Sequence, residues 1–171
     1  MRTLKSLLVL TSLAATLVIA TASAQAAASA TATATAEIIP PISINLLIGG
    51  GALQFGQIVA NSGGTVVVAP DSSRTFTGSV EVIPTSVHTA AAFMVSGNAG
   101  NTFSITLPSS AVITSGANTM NVDAFTSNPS GTGTLDLSGS KNLNVGGTLH
   151  VSAGQPVGHY AGTFSVSVAY N

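Results

Sequence analysis

The chain has 171 residues, 45% of them hydrophobic and only 5% charged, with a formal net charge of −1. Nucleic acid and anionic lipid surfaces are held by clustered Lys and Arg, which this composition lacks, so neither is an expected partner. Cysteine is absent, so no disulfide or thiolate–metal site braces the fold, and stability has to come from burial and strand pairing.

The first 24 residues read as a secretory signal peptide. Arg2 and Lys5 form a positive start, Leu7 to Ala20 an apolar core, and Ala22-Ser23-Ala24 a small-residue cleavage site. That core is short for a membrane-spanning helix, and no later segment is long and apolar enough to be one. The mature chain is expected to begin at Gln25, with Ala27 as the second choice, and to pass through the periplasm to the cell surface or beyond without inserting in a membrane. Its charges are then Arg74 and Lys141 against Glu37, Asp71, Glu81, Asp123 and Asp136. So few charges suit a surface partly covered by neighbouring molecules.

Residues 30–46 follow with period two. Ala30, Ala32, Ala34, Ala36, Ile38, Pro40, Ile42, Ile44 and Leu46 occupy the even positions, and Thr31, Thr33, Thr35, Glu37, Ser43 and Asn45 lie among the odd ones. Alternation of this kind marks a strand with one buried face. Pro40 and Pro41 offer no N–H to a ladder and divide the row. The expected organisation is an N-terminal arm over residues 25–41, extended across Ala28–Ile39 and jointed at Pro40-Pro41, followed by a body over 42–171 whose first strand is Ile42–Ile48.

Past Gly49-Gly50-Gly51 the predicted strands are Ala52–Val59, Thr65–Ala69, Arg74–Ile83, Ala91–Ser96, Thr102–Leu107, Thr119–Phe125, Gly133–Leu137, Lys141–Val151 and Gly162–Tyr170. Phe103, Ile105 and Leu107 alternate with Thr102, Ser104 and Thr106, and Phe164, Val166, Val168 and Tyr170 with Thr163, Ser165, Ser167 and Ala169. Turn signals punctuate the chain, among them Asn61-Ser62-Gly63-Gly64, Pro70-Asp71-Ser72, Pro108-Ser109-Ser110, Asn128-Pro129-Ser130-Gly131 and Gly146-Gly147. No window shows helical spacing with caps, and no internal repeat is evident. Short strands punctuated in this way predict an all-β antiparallel sandwich or barrel, with the sandwich favoured.

The sequence offers little chemistry. His88, His150 and His159 match no zinc spacing and read as solvated surface residues. No Gly-x-Ser-x-Gly elbow is present. The carboxylates form no acidic calcium loop, and turn bonding or solvation is the expected role of Asp123 and Asp136. The glycine runs carry neither the Lys nor the helix of a phosphate loop. No catalytic residue, cofactor or metal is expected. Without Trp, and with Tyr170 at core parity and Tyr160 in a turn, a sugar-stacking platform is poorly supplied.

Several phrases carry a resemblance. Ala52-Leu53-Gln54-Phe55-Gly56-Gln57-Ile58-Val59, Thr102-Phe103-Ser104-Ile105-Thr106-Leu107-Pro108, Met120-Asn121-Val122-Asp123-Ala124-Phe125, Leu143-Asn144-Val145-Gly146-Gly147-Thr148-Leu149 and the ending from Gly158 to Asn171 resemble the secreted bacterial family known as domain of unknown function 4402. The Leu-x-Phe-Gly strand and the closing Ala-Gly-x-Phe strand with a penultimate Tyr also look like pilin subunits of the spore-coat-U-like and archaic chaperone–usher branch, although this chain has no cysteine. That second resemblance implies an immunoglobulin-like sandwich with an open groove, filled by a neighbour's N-terminal arm. It also implies a homopolymer built with a periplasmic chaperone and an outer-membrane usher. Ala30, Ala32, Ala34, Ala36 and Ile38 would be the donated face, with Pro40 and Pro41 as joint. The alternative is a monomeric surface or matrix binding module whose sandwich completes itself.

Overall fold

The computed structural model describes residues 27–47, 49 and 51–171. The predicted signal peptide, Gln25 at the expected mature start and Ile48 at the end of the predicted body strand lie outside them. The chain divides between Ala36 and Glu37 into two units. Of the first, residues 27–36 are described; all are exposed and none belongs to a strand.

Every regular element of the second unit is a strand: β1 (Ser43–Leu46), β2 (Ile58–Val59), β3 (Gly64–Val68), β4 (Arg74–Gly78), β5 (Glu81–Val82), β6 (Ala91–Ser96), β7 (Thr102–Thr106), β8 (Ser110–Ser115), β9 (Asn118–Asn128), β10 (Thr132–Thr134), β11 (Ser140–Val151) and β12 (Ser167–Tyr170). All pairings are antiparallel. The long β11 organises the larger sheet. Its first half pairs β6 and its second half β3 along one edge, while β9 runs along the other. β1 then adds to β6, β4 to β3, and β8 to β9. A second sheet has the order β10-β7-β12, and β2 and β5 make a small ribbon.

The two sheets close on one core. Ala91 and Val95 from β6 and Leu143 and Val145 from β11 meet Phe103 of β7 and Leu135 beyond β10. A second cluster, Val66, Val80, Val122, Leu149 and Val151, packs against Ile58 and Val82 of the ribbon. The alternation read from the sequence points Phe103, Ile105 and Leu107 inward at β7, and Leu143, Val145, Leu149 and Val151 of β11 face inward as well. Phe103, Leu135, Leu143 and Leu149 are fully buried, each contributing on the order of 1.5–3 kcal/mol of burial.

One interruption of the alternation has a backbone cause. In β9, Met120 and Val122 face inward, yet so do Phe125 and Ser127, an odd number of residues further on. Between Thr126 and Asp123 the strand spends three steps where β11 spends two, from Gly146 to Thr148. The extra residue forms a bulge at Ala124, whose φ is +45°, and a bulge switches which parity faces the core. Opposite it, Gly146 lies against the Val68 carbonyl and Gly147 beneath the Phe125 ring. Both glycines sit inside a strand, and Gly146-Gly147 is no turn.

Other expectations are redrawn. Predicted Arg74–Ile83 is split after Gly78, which has φ +79°. Predicted Ala52–Val59 contributes an isolated Gln54–Thr89 bridge and the two residues of β2. Strand β8 is absent from the sequence prediction, since Ser110-Ala111-Val112-Ile113-Thr114-Ser115 has no clean alternation and follows a turn signal. Residues 27–42 join no ladder, and β1 falls within the predicted Ile42–Ile48.

Candidate functional site

The sandwich has an open seam. β1 ends the larger sheet and β12 ends the smaller one, and the two edge strands lie beside each other. In an antiparallel ladder, hydrogen-bonded and non-bonded pairs alternate. The Leu47 N–H donates to the Ala92 carbonyl at 2.9 Å, so every second residue back from Leu47 faces β6. Ile44 and Leu46 therefore turn their N–H and C=O groups toward the open side. Likewise the Asn171 N–H donates to the Thr102 carbonyl at 3.2 Å, which leaves the main-chain groups of Val168 and Tyr170 facing outward. Ahead of β12, residues 162–166 make no main-chain hydrogen bond among the described residues. Unpaired edges of this kind are templates for another strand.

Behind the edges lies apolar surface that the chain leaves half-covered. Ile42, Ile44, Phe164, Val166, Val168 and Tyr170 all touch the core, yet each remains partly exposed. At the β1 C-terminal end the seam widens into a groove of about 370 Å³, lined by Leu46, Leu53, Phe93, Ile113, Phe125 and Phe164 among others. Phe164 stands between two rings, edge-on to Phe93 at 6.4 Å and tilted against Phe125 at 4.9 Å. Such pairs add to simple burial and hold the groove wall in place.

At the opposite end one side chain bridges the seam. The Tyr170 hydroxyl donates to the Pro40 carbonyl at 3.0 Å and accepts the Asn98 N–H at 2.6 Å. A Cβ at position 97 would collide with that hydroxyl, which is why Gly97 stands there. From this stopper β1 runs toward the groove and β12 runs back from it. The two edges are thus antiparallel to each other.

The residues expected to form a donated face fall in both units. Ala30, Ala32, Ala34 and Ala36 belong to the first unit, where they are exposed. Ile38 belongs to the second and is 98% exposed, so it buries nothing in its own body. Pro40 is the residue tied to Tyr170, and Pro41 beside it is exposed. Sequence reasoning does not find the receiving side. Its one signal is the alternation of Gly162–Tyr170, of which only the last four residues pair.

Elsewhere the polar side chains stabilise loops. The Arg74 guanidinium donates to the carbonyls of Phe55 at 2.9 Å and Ile83 at 2.8 Å, and to the Ser86 hydroxyl at 3.1 Å. Asp136 Oδ1 accepts from the Ser138 hydroxyl and N–H and from the Ser140 N–H. These bonds, the Ser138 hydroxyl foremost, hold its carboxyl below the ordinary 3.8. Asp71 is lowered in the same way by the hydroxyl and N–H of Ser73. Asp136 thus takes the turn-bonding role expected of it. Asp123 instead receives His150 Nε2 at 2.7 Å, a pairing across β9 and β11 that sequence spacing does not reveal. No group of three or more His, Cys, Asp or Glu comes together among the described residues. No helix among them is long and apolar enough to cross a membrane.

Residues 48–170 match the family model described as Domain of unknown function (DUF4402). No curated protein matches the chain, and no solved structure does.

Proposed function

The chain belongs to the DUF4402 family, and from that premise we propose that it is an exported structural subunit that polymerises by donating its N-terminal arm to the open seam of a neighbouring copy. The observation that carries the reading is the seam itself: two unpaired, antiparallel edges over a half-covered apolar row. Where the seam widens toward the groove, a strand laid in it would supply main-chain partners to Leu46 on one side and to Val166 and Val168 on the other. Its alternate side chains would complete the core. The arm has the matching form, with Ala30, Ala32, Ala34, Ala36 and Ile38 on one parity. Ile38, unburied in its own body, would gain about 1.5–3 kcal/mol on full burial, and each ladder hydrogen bond about 0.5–1.5 kcal/mol net.

In this reading Pro40-Pro41 is the root of the arm, fixed to its own body through Tyr170. Residues 1–24 direct export, and a periplasmic chaperone and an outer-membrane usher are the assembly partners that the pilin resemblance suggests. The sparse charge of the mature chain fits a surface covered by copies of itself.

Removing residues 25–39 from the mature chain tests the reading. Size-exclusion chromatography and negative-stain microscopy should show linear polymers for residues 25–171 and monomers for the shortened chain, with the same β-rich circular dichroism. An intact mature chain that remains monomeric at all concentrations would instead identify a self-completed binding module.

A further inference from the structure

Strand β4 leaves the far edge of the larger sheet open, across the sheet from β1 and the seam. It pairs with β3 alone. The Ala69 N–H donates to the Ser73 carbonyl and the Ser79 N–H to the Gly63 carbonyl, both at 2.9 Å. Every second residue between those ends therefore faces β3, and Arg74, Phe76 and Gly78 turn their N–H and C=O groups outward. No main-chain partner meets them among the described residues, and Thr75 to Gly78 are all exposed.

Natural sheets guard such an edge with Lys, Pro or a bulge. β4 has none of these, and its one charge is withdrawn: the Arg74 guanidinium is drawn onto the Phe55 and Ile83 carbonyls and the Ser86 hydroxyl. At the centre stands Phe76. It lies directly opposite Val66, which is fully buried, yet it is 49% exposed because no strand lies beyond it. The edge is complementary to itself. Laid antiparallel against a second β4 with Phe76 facing Phe76, the outward groups of the two strands meet in phase, and the central pair exchanges N–H and C=O bonds. Phe76 then packs on Phe76 on one face, Thr75 meets Thr77 on the other, and Arg74 stands opposite Gly78. Aromatic pairs and Thr–Thr pairs are favourable cross-strand partners, and no like charges oppose each other within the two strands. A shift of one residue would set the outward groups of one strand against residues of the other that already face β3.

We propose that β4 pairs with β4 of a second copy across a two-fold axis at Phe76, joining two larger sheets into one. Such a contact is isologous and closes on itself. It is independent of the strand-donation reading, whose seam lies on the other edge of the sheet. Five residues a side are fewer than a stable dimer needs, so the pair is a reversible association that has to be trapped to be counted.

The absence of cysteine makes disulfide trapping selective, and the register dictates which positions bridge. Residues 25–171 are made as Thr75→Cys and, separately, as Thr77→Cys, both at exposed positions. In the paired edges these positions stand opposite each other with Cα atoms about 4.5 Å apart, within the reach of a disulfide. Two copies of position 75, or two of position 77, are roughly 8 Å apart, which is beyond it. Mild oxidation of the two variants mixed should give about tenfold more cross-linked dimer on a non-reducing gel than oxidation of either alone, because only the mixture brings thiols within reach. Adding Phe76→Lys to both variants sets two ammonium groups face to face and should abolish that excess, while Phe76→Tyr should keep it. Equal yields from the mixture and from the single variants would overturn the pairing, as would an excess that survives Phe76→Lys.

Discussion

Replacing Tyr170 with Phe removes one oxygen that serves two partners. The Pro40 carbonyl, at the exposed surface, exchanges the hydroxyl for water at little net cost. The Asn98 N–H is part-buried and bonded only to that oxygen, so its loss leaves a donor unpaired. An unsatisfied part-buried donor costs about 1–3 kcal/mol, while the ring packing against the core is kept. The expected result is a fall of about 1–3 kcal/mol in unfolding free energy with an unchanged denaturant slope. For a domain of this size that corresponds to roughly 2–10 °C in thermal midpoint. Amide hydrogen exchange gives the site-specific reading: Asn98 should lose protection while β7 and β11 keep theirs. A change below about 0.5 kcal/mol, smaller than one net hydrogen bond, together with unaltered Asn98 exchange, would show that the stopper is not held by this hydroxyl.

Two further perturbations probe the fold. Gly146→Ala pushes a methyl into the Val68 carbonyl and the Ala69 backbone, neither of which can yield, and should cost at least about 2 kcal/mol. Gly147→Ala meets only the Phe125 ring and the Val122 side chain, which can shift, and should cost under about 1 kcal/mol; urea midpoints in the opposite order would contradict the packing described. The depressed Asp136 carboxyl contributes stability that is fully present above its ordinary value of 3.8 and is lost as pH falls through the lower folded value. Asp136→Asn should therefore be less stable near neutral pH and show a flatter loss of stability below pH 3.8, read from urea unfolding across that range.

Much of this protein is legible in its side-chain alternation. Phe103 and Ile105, Leu143 and Val145, and Val166 and Val168 repeat at two residues because a pleated strand turns successive side chains to opposite faces. That rule is local, so the strand class and the inward residues of β7 follow from it, while the break of the even row follows from the N–H that Pro40 and Pro41 lack. What the alternation does not encode is the neighbour. Residues 162–170 alternate throughout, yet only Ser167–Tyr170 find a ladder, since pairing depends on which strand a distant part of the chain brings alongside.

The bulge at Ala124 and the strand β8 are hidden for related reasons. A positive φ at one residue shifts the parity of everything after it, and β8 is held chiefly by its pairing with β9 rather than by a pattern of its own. By itself the sequence determined the all-β class, the core parity of its clearest strands, and an alternating apolar row with a proline break. Only the tertiary structure decided that β1 and β12 end their sheets side by side and leave a seam between them, because an edge is defined by an absent partner and no local residue pattern records an absence.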